Sequence, residues 1–461
     1  MTGSSALVET NDQKVLVDCG MFQGGEGSEE KNRAELPFSA ASLTAVVVTH
    51  AHLDHVGRLP LLAKNGFKGF VYATPPTRDL ARLIMEDAYG VMAYDHRKFG
   101  RPMLYEMKDI EKIMAQFKSV DYYEPLKISS RRSFLGKVKK VVKGKKAAAP
   151  DSDLTITFHD AGHVFGSSFI LFEADGKKLV FSGDVGNENV PILRDTDALP
   201  KDLDMLVCES TYGDRTHEPS NTREAMLQSA VKKIVAEDGV LMIPSFALER
   251  TQELLYLLNE MIEREGTLKQ IPIFLDSPLA IDALKVFEKY PQYYDEEADK
   301  YFRSGDDIFN FPGLVKTYTR DESMKINHTP NPKIIIAGAG MMNGGRILHH
   351  AIRYLSDHRN MLMVIGYQSP GTLGWRIISG HNHVQVLGES IPVSCEVKML
   401  NAFSAHGDRD KLIKWIGNNG HQPKKVLLNH GDVDSSKALR DYLQNGGFSC
   451  DLAEPQKIFE V

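Results

Sequence analysis

The feature that most constrains this chain is the run His50-Ala51-His52-Leu53-Asp54-His55, which directly follows the apolar stretch 45–49. A run of small and β-branched residues such as Ala45-Val46-Val47-Val48 reads as a buried strand. In an extended backbone the side chains alternate, so His50 and His52 point the same way and can share one ion. Asp54 and His55 fall out of that register. If a turn begins at this point, as the helix-like 56–62 suggests, they serve a second ion beside the first. Three imidazoles and one carboxylate within six residues suit zinc, which favours nitrogen ligands with some oxygen.

The rest of the chain is patterned to supply a scaffold for such a cluster. At 461 residues it is too long for one ordinary core and implies two compact domains. In the first half, residues 14–18, 45–49, 70–73, 154–159, 169–173, 178–182 and 205–209 read as strands, with a helix at about 77–92. From about Tyr212 the rhythm changes. Strands at 240–243, 273–276, 333–337 and 361–365 alternate with amphipathic helices at 223–236, 250–263 and 344–355, the signature of a parallel sheet. Two further strand units, 397–403 and 425–429, each lead to a histidine. The second domain is therefore expected to be inserted in the first.

Composition narrows the class. The chain is 42% hydrophobic and 25% charged, as in soluble globular proteins. Its apolar runs are far shorter than a membrane span, and its first residues lack a basic-then-apolar leader. Cys19, Cys208, Cys395 and Cys450 form no CxxC pair and read as small core residues. A cytoplasmic enzyme fits these properties. The net charge of −6 argues against a general nucleic-acid coat protein. It does not exclude an enzyme with a locally positive channel. One segment stands apart: Arg131, Arg132, Lys137, Lys139, Lys140, Lys143, Lys145 and Lys146 occur without an intervening acid. It reads either as a solvated insertion or as a basic arm touching phosphates.

Further ligand candidates occur at strand ends. His163 follows the turn Asp160-Ala161-Gly162, and Asp184 follows Ser182-Gly183, where its carboxylate could bridge two ions. In this order the motifs resemble those of the metallo-β-lactamase superfamily: Asp18 in Val17-Asp18-Cys19-Gly20, then residues 50–55, then His163 and Asp184. Later segments resemble the β-CASP nucleases of that superfamily. They are Glu209 in Cys208-Glu209-Ser210-Thr211, His406 in Ser404-Ala405-His406-Gly407-Asp408, and His430 in Asn429-His430-Gly431-Asp432. Pro244-Ser245-Phe246-Ala247, Asp276-Ser277-Pro278-Leu279-Ala280 and Gly338-Ala339-Gly340-Met341-Met342 also look like that family. The likeness is strongest to the bacterial and archaeal enzymes related to the endonuclease of pre-mRNA 3′-end processing.

The resemblance implies an αββα sandwich built from residues 1–211 and 386–461, with an inserted β-CASP α/β domain at 212–385 having a mainly parallel sheet. It implies two Zn2+ per chain: one on His50, His52 and His163, the other on Asp54, His55 and His430, with Asp184 bridging. Asp18 would orient a ligand histidine. A di-zinc-activated hydroxide would attack phosphorus, and His406, kept protonated by Glu209, would serve as general acid. The expected activity is hydrolysis of single-stranded RNA, endonucleolytic, leaving 5′-phosphate and 3′-hydroxyl ends. His430 favours RNA, because the DNA-directed branch usually carries valine there. Substrate-binding candidates are Gly338, Gly340, Gly344 and Gly345 in the glycine-rich turn, with Ser277, Arg250 and the loop 369–372 behind them. The histidines at 349–350, 381 and 383 are expected at the surface or in caps, and His159 near a strand end.

The rivals are a 5′–3′ exoribonuclease, a DNA nuclease, a small-ester hydrolase of the same superfamily, and a silent RNA-binding subunit. Homodimerisation is left open. The chain departs from the family pattern by starting at the segment 2–5, where relatives have an earlier strand. Either it begins at an internal methionine or the first sheet has lost an edge strand. Neither an appended RNA-binding domain nor a long C-terminal extension is expected.

Overall fold

The computed structural model describes residues 3–10, 13–23, 27–128, 154–417 and 420–461. The basic run 131–146 lies outside the described residues. The chain divides into one unit of Met1–Gly186, Asp195–Thr216 and His406–Val461, and a second of Asn187–Arg194 and His217–Ala405.

The first unit holds two sheets. In the five-stranded one the order is Ala6–Glu9, Lys14–Val17, Ala45–Val47, Phe70–Ala73 and Phe117–Ser119. Its first pair is antiparallel and the others parallel. Val15, Leu16, Val46, Val47 and Val48 are fully buried, as expected of parallel strands covered on both faces. The seven-stranded sheet runs Cys450–Leu452, Val426–Asn429, Met205–Glu209, Lys177–Phe181, Ser168–Ala174, Leu154–Asp160 and Leu126–Ile128. It is parallel as far as Lys177–Phe181 and antiparallel beyond. Helices Arg409–Gly417 and Val433–Asn445 lay Leu412, Trp415, Ile416, Leu439 and Leu443 on one of its faces. The Ser168 amide donates to the Thr49 carbonyl (2.8 Å) and links the two sheets.

Register positions the site. Val17 lies beside Val47, Phe181 beside Val207, and Glu209 beside Asn429. Parallel strands in register present their C-terminal ends at one edge of a sheet, so Asp18 and His50 emerge at one edge of the five-stranded sheet and Asp184, Glu209 and His430 at one edge of the seven-stranded sheet.

The second unit is built on an all-parallel six-stranded sheet ordered Leu314–Lys316, Ile273–Asp276, Lys333–Ala337, Val240–Pro244, Met361–Val364 and Glu396–Met399. Arg223–Ala236 is a helix as expected. The expected helix 250–263 is an α-helix only over Arg250–Asn259 and continues as a wider π turn, Glu260–Arg264. Glu396–Met399 pairs with Met361–Val364, so that segment belongs to this sheet, and the second compact unit runs to Ala405.

All four cysteines are free and buried, and burial pushes the Cys19 thiol up to about 12. Among the described residues, no helix is long and apolar enough to cross a membrane.

Candidate metal centre

The strand Ala45–Val47 is followed by a bend at Thr49, and His52, itself extended, flanks the short helix Leu53–Val56. His50 Nε2 and His52 Nδ1 meet at 3.1 Å. The helical turn carries Asp54 and His55 away from that pair. His163 comes from the turn after Leu154–Asp160, where its amide donates to Ser167 Oγ (3.0 Å) and the Gly162 amide donates to Asp160 Oδ1 (2.9 Å). Asp184 is set by the residue before it. Gly183 has φ +56°, and a Cβ there would stand 2.7 Å from Thr49 Cβ. Only glycine allows this backbone to lie against the end of the neighbouring strand.

The donor atoms form two sets that share Asp184. On one side His50 Nε2 and His163 Nε2 lie 3.4 and 3.5 Å from Asp184 Oδ2, and His52 Nδ1 lies 3.2 Å from His163 Nε2. On the other, His55 Nε2 and His430 Nε2 lie 3.4 and 3.5 Å from Asp184 Oδ1. There, His55 Nε2 and His430 Nε2 are 3.4 Å apart, and Asp54 Oδ2 is 3.6 Å from His430 Nε2. A tetrahedral zinc with bonds of about 2.0–2.1 Å sets its ligand atoms about 3.3–3.4 Å apart. Both sets have that spacing. Moreover, the buried Asp184 Oδ1 accepts no hydrogen bond, an expensive arrangement without a cation beside it. The residues present fit zinc.

Electrostatics point the same way. Burial, then the charge of His55, drives the His50 pKa well below its ordinary value, and burial takes His52 down to about 4. Both are therefore neutral and able to ligate. Burial opposes charge on Asp184, but His430, His55 and His50 together hold its carboxyl well below the usual range. Burial likewise opposes charge on His55, yet Asp184 and Asp18 outweigh it and raise its pKa. Metal binding would thus release a proton from His55.

A supporting layer surrounds these donors. Asp18 Oδ2 is 2.7 Å from His55 Nδ1, which directs Nε2 toward the centre. Thr49, which sequence reasoning did not single out, donates its amide and hydroxyl to Asp18 at 2.8 Å each and stands 3.1 Å from His50 Nδ1. Its only sequence signal is its position before the first histidine. Glu209 is fully buried and accepts from the Val185 amide at 2.7 Å. Its carboxylate oxygens lie 3.1 and 3.3 Å from His406 Nδ1. Burial opposes charge on His406, but Glu209 prevails and raises its pKa to about 9. Among the described residues, Asp184, Glu209 and His406 form a third group compatible with a cation, besides the two sets above.

The expected substrate-binding residues lie in the inserted unit. Ser277 caps helix Pro278–Lys289. Gly338, Gly340, Gly344 and Gly345 occupy the turn between Lys333–Ala337 and Ile347–Tyr354. Arg250 is buried, ion-paired with Glu253 and bonded to the Phe403 carbonyl at 2.6 Å. Its Nη1 makes both contacts, while Nε and Nη2 are buried without a hydrogen-bond partner among the described residues. His350, expected at the surface, is buried, with Nε2 2.8 Å from Asp276 Oδ2. The helix pattern places it on the inner face, but its partner comes from a distant strand. His159 lies in the strand Leu154–Asp160 and stacks on Phe169, and His381 and His383 are exposed.

Comparison with known proteins divides the chain into three matched segments. Residues 1–245 match the metallo-beta-lactamase superfamily, 251–377 the Beta-Casp domain, and 390–453 the Zn-dependent metallo-hydrolase RNA specificity domain. The chain is 37% identical over 453 residues to Ribonuclease TTHA0252 of Thermus thermophilus, covering 98% of this chain and 96% of the relative. It is 31% identical over 432 residues to an RNase J-like protein of Methanocaldococcus jannaschii, covering 93% and 89%. It is 32% identical over 444 residues to the Transcription termination factor FttA of Methanosarcina mazei, covering 93% of this chain but 65% of the relative.

Proposed function

The chain belongs to the metallo-β-lactamase superfamily, with β-CASP and RNA-specificity segments, and on that premise we propose that it is a zinc-dependent endoribonuclease acting on single-stranded RNA. The observation that carries the reading is the pair of donor sets sharing the Asp184 carboxylate, with the Glu209–His406 pair beside them. His50, His52, His163 and Asp184 Oδ2 would hold one zinc, and Asp54, His55, His430 and Asp184 Oδ1 a second. Bound there, zinc supplies Lewis acidity that activates water and neutralises phosphodiester charge.

The chain's own residues account for the remaining chemistry. Asp18 holds the His55 proton on Nδ1, leaving Nε2 as the ligating atom. Glu209 holds His406 through Nδ1, so the transferable proton is on Nε2. When water adds to phosphorus and the P–O3′ bond breaks, that proton goes to the departing ribose oxygen. The products carry a 5′-phosphate and a 3′-hydroxyl. No step consumes the 2′-hydroxyl, so preference for RNA must arise in binding. The kinship with Ribonuclease TTHA0252 and the RNA-specificity segment support RNA as substrate, and His430 in a ligating position supports a complete second site.

The test is purified protein, with zinc and after chelation, on end-labelled and internally labelled single-stranded RNA and on DNA of the same sequence. Zinc-dependent internal cuts in RNA with 5′-phosphate ends are expected. Equal kcat/KM on DNA would remove the RNA assignment, and 2′,3′-cyclic phosphate ends would sink the mechanism.

A further inference from the structure

Asp276 ends the strand Ile273–Asp276, with Ala337 as its neighbour across the ladder. Its carboxylate is fully buried and accepts from groups on three other segments. Oδ1 takes the Thr317 hydroxyl and Arg346 Nη1, both at 2.7 Å. Oδ2 takes the Ser323 hydroxyl at 2.7 Å and meets His350 Nε2 at 2.8 Å. Arg346 is further held by the carbonyls of Thr317 (2.9 Å) and Tyr318 (2.7 Å). A buried carboxylate surrounded by four donors is strongly specified, since each bond is charge-assisted.

Arg346 and His350 begin the helix that follows the glycine-rich turn, so Asp276 anchors one end of that turn. The turn has an uneven use of its backbone. Five of its carbonyls are engaged: Gly338 accepts from the Ile347 amide, Ala339 from Met342, Met341 from Gly374 and Gly344 from Ala339, and Gly340 from Gln368 Nε2 at 3.0 Å. By contrast, the amides of Met341, Asn343, Gly344 and Gly345, all at least partly exposed, donate to nothing among the described residues. Gly345 has φ +74°, and a Cβ there would stand 2.2 Å from the Gly338 carbonyl oxygen. The turn closes tightly with its donors left over, a surface that suits an anion.

We infer that Asp276 is a positioning residue for RNA, fixing Arg346 and His350 so that the surplus amides of the glycine-rich turn meet backbone phosphates. This rests on the ribonuclease reading. Asp276→Asn keeps the shape but removes the charge and puts an NH2 group among donors. It is expected to raise the KM for single-stranded RNA about tenfold or more. Zinc content, kcat on saturating RNA and hydrolysis of the small phosphodiester bis(p-nitrophenyl) phosphate should remain near wild type. Arg346→Ala, at a less buried position, should reproduce the KM effect should the first variant fail to fold, and Arg346→Lys should recover part of it. An unchanged KM in both Asp276→Asn and Arg346→Ala overturns the inference. So does a proportional loss on both substrates, which marks a scaffold residue only. Wild-type protein that cleaves the small phosphodiester but no RNA refutes the ribonuclease reading itself, and the inference with it.

Discussion

Replacing Asp184 by asparagine removes a charge from the middle of the centre with almost no change of shape. The Asp184 carboxylate lies 3.4–3.5 Å from four imidazole nitrogens, two on each oxygen. A unit charge pair at that range interacts by about 5 kcal/mol at an effective dielectric near 20. A divalent ion held by those nitrogens would feel at least this much. Water and the asparagine oxygen return a part, which leaves roughly 4 kcal/mol, or about a thousandfold in affinity. The first set would retain only neutral imidazoles, whereas the second keeps Asp54, so His50, His52 and His163 should lose their zinc first. The assay is zinc per chain by mass spectrometry at buffered free zinc, alongside RNA cleavage on the same samples. Wild type should hold two ions and Asp184→Asn fewer than one at the same free zinc, with activity falling in step and recovering only in part with excess zinc. Asp184→Ala should be at least as severe. Two ions retained at wild-type affinity with near-normal turnover would refute the bridging role.

His406→Ala should keep both zinc ions and lose about 10²–10⁴ in kcat, the usual worth of a general acid; loss of an ion would instead assign His406 to the third group with Asp184 and Glu209. Deleting residues 137–146 should raise the KM for RNA and reduce the log–log salt slope by about 0.7 per lost phosphate contact, with kcat unchanged; unaltered affinity and slope would leave the run a solvated insertion. Glu260 has its carboxyl pushed up to about 7 by burial and then by Glu297, against the pull of Arg264. The folded state therefore holds a proton that the unfolded chain gives up at lower pH, and stability falls as pH rises from about 4.5 through 7. Melting curves should show Glu260→Gln more stable than wild type at pH 8 but not at pH 4.5; equal differences at both would discard the assignment.

Much of the centre was legible in the sequence because its ligands sit at strand ends, and strands declare themselves by apolar runs. Residues 45–49 announced the strand that leads into the cluster, and reading His50 and His52 as a continuation of it put them on one side. The ordered recurrence of Asp18, His163, Asp184, Glu209, His406 and His430 gave the resemblance its specificity. Strand order and register were not legible, because an apolar run specifies burial and not a neighbour. Only the packing of the two sheets brings His430 within 3.4 Å of His55 across 375 positions of chain, and only a parallel ladder keeps Glu396–Met399 in the inserted sheet. The same limit hid Thr49, whose hydroxyl matters because Asp18 arrives beside it, and it hid the partner of His350. Asp276 stood in plain view within a family-like segment, but its four hydrogen bonds come from residues 41 to 74 positions away. A buried charge is defined by what folding places around it, and pairing across such distances is decided by the tertiary structure.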